Sequence, residues 1–543
     1  MSRHDGQLTE TASGFLVHAV LRPLPSRLLL SLTWACLIGL SPRAVAQSYV
    51  AIMEGQRALP LKGQFNGPPV LHSNQPEEVE GPGILISTIP GMANAAENSL
   101  AIPMPAYTFN GEFGLHLHHK YFPTYRESIS ASQRRSELTL AAILVNPTMQ
   151  PVRIRFTAGG VRNSFEAPYL ANNLMGVRPL GPRPWNTGPG DATAVQMLRG
   201  RLDPQFADTV IIPPKGRVVL FRTALPALGI ANALLKGRSD GPFQIAVLAA
   251  KNPQSDEDLF AVLDRGLLAP GRVYLNRIAE IQAGTIFSRV GGVAIGDHYQ
   301  ASLSHDLIRQ GPLHVPLTST RRTHFGTGEV QVNHLATRVV DSALDNVGTY
   351  GVRFDVDLNV LGQGTYDIVL SHPSPLGGRH FTAFRGSMEI RTPDGLQAVH
   401  VGLRSGQSLS LAPLQLTAGQ STPVRISLVY PADSTPGHLL SIVPTTQFAE
   451  VKQRERRRQM AQVNPPESPL PTPPPQVPQA PRPSVAPPRR SVPRQWGPLV
   501  PPPEILRVPP PQHQQIPQGD LTDRYQDALD AQRRLLQQWQ QLP

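Results

Sequence analysis

The chain has 543 residues, among them 58 prolines and a single cysteine, and a formal net charge of +11. One cysteine excludes a disulfide framework and any thiolate metal cluster, and 6% aromatic content leaves few stacking platforms for sugars or bases. About half of the charge excess is local: residues 451–520 hold ten Lys/Arg against four Asp/Glu, with Trp496 the one aromatic. That pattern argues against nucleic acid and for anionic envelope polymers or a membrane surface.

In chain order, Arg22 and Arg27 precede an almost wholly apolar run from Leu28 to Leu40, followed by Ala44-Val45-Ala46. This predicts an N-terminal extension and signal peptide over residues 1–46, cut after Ala46. The run is thirteen residues long. A spanning helix needs roughly twenty, so no transmembrane span is expected in the mature chain. Cys36 lies inside the run, so the exported chain is expected to be cysteine-free and to rest on core burial alone.

From Glu78 to Val443 the dominant signal is period-two alternation. Val152, Ile154 and Phe156 alternate with Arg153, Arg155 and Thr157; Val352 to Val360 alternates with Arg353, Asp355, Asp357 and Asn359. One apolar and one polar face is the signature of an antiparallel sheet with a solvated side. Turn signals such as Asn146-Pro147, Pro213-Pro214-Lys215-Gly216 and Asp394-Gly395 separate the runs. The fold class is therefore mainly β, with two antiparallel β-sandwich-like domains expected over 47–272 and 273–447 and a boundary within 268–285. Two short helices are predicted, Asp191 to Leu198 and Asp256 to Arg265, the second opened by a capping box of Ser255 and Asp258.

Residues 461–520 contain twenty-one prolines. Proline removes the amide donor and fixes φ, so residues 448–518 are expected to be a basic, proline-rich, disordered linker. Beyond it, Leu521, Tyr525, Leu529, Leu536 and Trp539 return at helical spacing, predicting an amphipathic helix over 519–543. The expected partners of this tail and helix are anionic envelope polymers or another envelope protein.

The best metal-like cluster is His116, His118 and His119. On a strand, His116 and His118 project from one face, where two imidazoles suit zinc or copper, with Glu112 as the local candidate for a further ligand. Asp297-His298 and His305-Asp306 are two Asp/His pairs, placed on either side of one hairpin, of the kind acid–base chemistry uses. Asp355 and Asp357 share a polar strand face and are candidate calcium ligands. Trp185, Tyr299, Tyr350 and Tyr366 are candidate sugar-stacking residues. No G-x-S-x-G elbow and no phosphate loop occurs, so neither catalytic nor cofactor-binding residues are assigned.

Several segments resemble an uncharacterised family of exported cyanobacterial proteins, known as a domain of unknown function. They include His72-Ser73-Asn74-Gln75-Pro76-Glu77, Gly83 to Thr88, Pro189-Gly190-Asp191, Gly237 to Pro242, Arg289 to Val293, Gly348-Thr349-Tyr350-Gly351 and Tyr430-Pro431-Ala432-Asp433. The resemblance runs from about Arg57 to Val443. It implies export from a cyanobacterium and brings no activity or cofactor with it. The expectation is a non-enzymatic envelope protein, periplasmic or extracellular, with a structural or binding role. The alternatives are a carbohydrate-binding or carbohydrate-acting secreted protein, or a metal-binding protein built on His116–His119.

Overall fold

The alternating runs do form strands, because burying every second side chain is the cheapest way for such sequences to exclude apolar surface from water. Val152–Asn163 begins with strict alternation, Val152, Ile154 and Phe156 buried and the arginines between them exposed. The structure is a computed structural model, and it describes residues 58–463 except 125–127, 170–174, 183–186, 286, 376–379 and 433. The expected signal peptide, the linker beyond residue 463, the terminal helix and Trp185 lie outside the described residues.

Among the described residues the fold is mainly β, in two stacked pairs of sheets. The first pair joins a large sheet to a four-stranded one. In order across it, the large sheet comprises Thr209–Ile212, Val152–Asn163, Ile230–Ser239, Glu112–Tyr121, Pro69–Ser73, Gly291–Ile295 and Leu335–Arg338, with Glu78–Val79 also pairing to Glu112–Tyr121. The smaller sheet comprises Arg217–Pro226, Glu137–Val145, Gln244–Ala250 and Gly83–Ser87. Between them lies a core that includes Leu71, Leu115, Leu117, Leu140, Phe113, Phe156 and Phe243.

The second pair repeats the plan. Its seven-stranded sheet runs Gln64–Phe65, His298–Asp306, Arg353–Leu361, Ser421–Val429, Thr382–Thr392, Gly395–Arg404 and Gly176–Pro179. It covers a four-stranded sheet of Leu313–Leu317, His438–Pro444, Gly364–Ser371 and Ser408–Leu416 around Phe354, Phe384, Met388 and Tyr430.

Strands cross between the two halves of the sequence. Gly291–Ile295 and Leu335–Arg338 extend the first large sheet, while Gln64–Phe65 and Gly176–Pro179 close both edges of the second. Covering an edge removes a row of open amides that would otherwise pair with another chain. Pairing is mostly antiparallel, with parallel exceptions where His298–Asp306 meets Arg353–Leu361 and where Pro69–Ser73 and Glu78–Val79 meet Glu112–Tyr121.

Both expected helices form. Pro189–Leu198 opens with proline in its first turn, where no amide donor is missed. Asp256–Asp264 carries the capping box from Ser255 and Asp258. Residues 448–463, expected in the linker, instead continue a helix Thr445–Val463 that runs straight on from the last strand. The first proline after Pro444 is Pro465, and Gln, Glu, Lys, Arg and Ala fill the gap with good helix formers. Among the described residues no helix is long and apolar enough to cross a membrane.

Candidate functional site

The two large sheets turn their polar faces toward each other, so the side expected to be solvated is partly buried. Helix Pro189–Leu198 is wedged between them, packing Ala194 and Leu198 with Leu234 of the first sheet and Val429 of the second. Two arrays of polar side chains line the rest of this layer.

The histidines of Glu112–Tyr121 stand in the first array. Leu115 and Leu117 enter the core, so His116 and His118 project into the layer. His119 points the opposite way, as strand parity requires. Its Nδ1 lies 2.8 Å from the Pro76 carbonyl and its Nε2 2.8 Å from Ser73 Oγ, so Nδ1 donates and Nε2 accepts. That leaves His119 no lone pair for a metal. His118 Nδ1 donates to Asn232 Oδ1 at 3.0 Å, and Asn232 Nδ2 donates to Thr193 Oγ1 of the helix at 2.6 Å. His116 is joined by His72 of the neighbouring strand, Nδ1 to Nδ1 at 3.2 Å. Glu112 is exposed at the strand's start, about 13 Å along the strand from His116 at roughly 3.3 Å per residue. Among the described residues no group of three or more His, Cys, Asp or Glu is placed to hold a metal ion.

Burial is the largest influence on these rings: His72 and His119 are each pushed down to about 3, and His116 is held well below the usual histidine range by burial and then by neighbouring histidines. They are neutral hydrogen-bonding groups at physiological pH. Beside them Glu77 bridges Lys120 at 2.5 Å and Arg289 at 2.6 Å. Burial pushes the Glu77 carboxyl up, but those two cations outweigh it and bring it to about 2.

The second array pins the helix to the other sheet. Asp191 Oδ2 accepts from His400 Nδ1 and from Ser387 Oγ, both at 3.1 Å, with Asp191 and His400 buried. A carboxylate in a helix's first turn is also favoured by the helix dipole.

At the border of the layer these elements leave a cleft of about 270 Å³. Val70, Leu115, Leu234, Leu235, Ala158 and Met197 give it an apolar floor. Lys236, Asp297, His298 and Arg353 supply the polar rim. Lys236 Nζ meets Asp297 at 2.9 Å, and Asn66 Nδ2 donates to the same Asp297 at 2.6 Å. His298 Nε2 and Arg353 Nε both lie 2.9 Å from Asp355 Oδ2, and Arg353 Nη1 donates to the Leu198 carbonyl. Burial pushes the Asp355 carboxyl up, yet hydrogen bonds from His298, Arg353 and Ser427 outweigh it and hold it well below the carboxylate range. Gly351 closes one wall at φ 76°, a left-handed backbone that favours glycine, with Leu234 Cδ1 2.9 Å from where a Cβ would sit.

The structure thus regroups the residues singled out in the sequence. His298 pairs with Asp355 across the parallel strands, not with its neighbour Asp297. His298 and His305 stand at the two ends of one strand rather than across a hairpin. His305 bonds the Gly311 carbonyl, and Asp306 accepts from the amides of Ile308 and Arg309 in a turn. Asp357 is taken by Arg425 through two contacts of 2.6 and 2.7 Å, so Asp355 and Asp357 each have a cation beside them instead of a shared ion. Tyr299, Tyr350 and Tyr366 are buried in the second core and offer no face to a sugar. His72, Asp191, His400, Lys236 and Met197 are not legible as site residues in the sequence. Two of them carry a signal there: His72 in the polar segment 72–77 next to a strand, and Asp191 in the segment Pro189-Gly190-Asp191 that opens a predicted helix.

No curated protein matches the chain. Residues 56–444 match the family described as Protein of unknown function (DUF3370). The matched span takes in both sandwiches, the wedged helix and the cleft, and ends one residue before helix Thr445–Val463. The chain belongs to this DUF3370 family, an uncharacterised domain family.

Proposed function

We propose that this is an exported, non-enzymatic envelope protein of cyanobacterial origin that binds a small ligand in the cleft between its two sandwiches. The observation that carries the reading is the cleft itself: an apolar floor under a rim of two pre-formed ion pairs, with Lys236 and Arg353 balanced by Asp297 and Asp355. Balanced charge over an apolar floor suits a molecule with an apolar body and a polar, near-neutral edge. His298 and Asp355 form a dyad, but no serine, threonine or cysteine hydroxyl or thiol is hydrogen-bonded to that imidazole among the described residues, which favours binding over acyl transfer. Export is supported by the positively flanked apolar run and Ala44-Val45-Ala46.

The test is native mass spectrometry on protein isolated gently from the cell envelope. The folded protein is expected to retain a small-molecule mass increment that denaturation releases. Met197→Trp, at a half-buried side chain of the cleft floor that also packs against Ala194, Leu198, Leu234 and Val429, should abolish the increment and cost no more than about 1–3 kcal/mol of stability. An identical increment in the variant, or none in the parent, ends the cleft reading. Recovery of the full chain in the soluble cytosol ends the export reading.

A further inference from the structure

Helix Thr445–Val463 lies outside both sandwiches and outside the cleft. Its first turns are rooted: Phe448 and Val451 are buried against Ala58, Val369, Leu439 and Val443. The sequence then places five Lys/Arg within residues 452–458. At about 100° per residue, Phe448 and Val451 fall about 60° apart on the side pressed to the core. Lys452, Arg454, Arg456 and Arg457 spread over about 200° of the remaining circumference, and all four are exposed. Their Cα atoms span about 8 Å along the axis at 1.5 Å per residue.

Helix propensity accounts for straight-chain residues here, which Gln or Ala would supply equally well, but not for five positive charges in seven positions. The last turn, where a cation would be favoured by the helix dipole, has no basic residue. Lys452 and Arg456 are four apart, a like-charge spacing that weakens a helix slightly. Lys452 Nζ lies 5.1 Å from the centre of the Phe448 ring, a cation–π contact at the surface in which the side chain stays exposed.

We infer that this helix is a docking surface for an acidic polysaccharide of the envelope, held by its carboxylates on Lys452, Arg454, Arg456 and Arg457. Charge complementarity selects a polyanion, and guanidinium groups match carboxylates with paired hydrogen bonds. A bilayer is the poorer fit. Peripheral membrane helices need an apolar face to bury, and here Phe448 and Val451 are already committed to the core. Nucleic acid fits poorly as well, because no exposed aromatic stands among the cations to stack on a base. The helix is anchored at one end and continues into a chain with five further arginines between residues 461 and 520. The cations of the helix are carried on a backbone rooted in the core, and charges already held in place bind with little ordering cost.

The experiment measures binding of the full chain to fluorescent polygalacturonate, with dextran as the uncharged control. The parent is expected to bind the polyuronate alone, and to weaken steadily as salt rises from about 0.05 to about 0.3 M. The variant Lys452→Gln/Arg454→Gln/Arg456→Gln/Arg457→Gln should lose about tenfold or more in affinity, with an unchanged circular-dichroism spectrum. A parallel variant neutralises Arg482, Arg489, Arg490, Arg494 and Arg507 and should lose less. Equal binding by the helix variant, a larger loss in the tail variant, or binding to phosphatidylglycerol vesicles in preference to the polyuronate each overturns the inference. Because Met197 and the cleft are untouched, failure here leaves the ligand reading standing, and the reverse holds too.

Discussion

Acidification from about pH 7 to about pH 5 is expected to unfold this protein cooperatively. Among the described residues, six of the buried histidines are held neutral, with burial the largest cause in each: His72 and His119 at about 3, His314 and His372 at about 4, and His116 and His438 well below the usual range. In the unfolded chain each titrates near 6.5. The folded values are depressed, so the unfolded state binds more protons below about pH 6.5, and stability falls as pH falls. The contribution is complete above about pH 7 and is lost down to about pH 4 for His314 and His372, and further for His72 and His119. Each histidine adds a slope of about 1.4 kcal/mol per pH unit. Six of them approach ~8 kcal/mol per unit, against a whole stability of about 5–15 kcal/mol for an ordinary domain. Glu77 does not confuse the window, because its depressed carboxyl adds stability that is lost only below its unfolded value near 4.5.

The measurement is urea unfolding at a series of pH values, with near- and far-ultraviolet circular dichroism as separate probes. The dependence of stability on pH near 5.5 gives the protons taken up on unfolding, expected to be about four to six. His314→Gln with His372→Gln should flatten that slope by about two protons. A chain still folded at pH 4, or an uptake below about two protons, would show that water reaches these imidazoles and lets them charge in place.

The mainly β class is legible because strand periodicity is a local property: each residue of Val152 to Phe156 reports its own face, and turn residues mark the ends. The helix at 256–264 is legible for the same reason, since Ser255 and Asp258 make contacts only three residues long. The polar layer is not legible. Asp355 reads as a solvated strand residue, and only a parallel pairing to a strand some fifty residues earlier places it on His298. Asp191 sits in a readable helix, yet its partners Ser387 and His400 are about two hundred residues away. His116 and His118 do share one face, as strand parity predicts, but a sequence does not say whether that face meets solvent, a metal or another sheet. Here it meets the wedged helix, through Asn232 and Thr193, and Tyr350 and Gly351, and the ring nitrogens are turned to His72 and Asn232 of their own sheet.

Asp341→Ala should be among the most damaging single changes in the protein, at about 3–5 kcal/mol. Asp341 and Arg272 form an ion pair in which both side chains are 0% exposed. Arg272 Nη1 lies 3.0 and 3.1 Å from the two carboxylate oxygens, its Nη2 donates to the Leu85 carbonyl, and Gln75 Nε2 donates to Asp341 at 2.9 Å. The loop after Leu268, the strand Gly83–Ser87, the segment 72–77 and the turn at 339–342 are thereby tied at one point. Removing the carboxylate strands a fully buried guanidinium, and most of the penalty is that uncompensated charge. The pair's net worth is smaller than the loss on breaking it, because both ions were desolvated to form it. Arg272→Met with Asp341→Leu should therefore recover most of the stability, to within about 1–2 kcal/mol of the parent. A double-mutant cycle in urea unfolding separates the two quantities. If Asp341→Ala costs less than about 1 kcal/mol, the guanidinium finds solvent, and the joint is looser than a fully buried pair allows. If the apolar double variant is as unstable as the single one, the damage comes from the lost ties to Leu85 and Gln75, and charge burial is not its main cause.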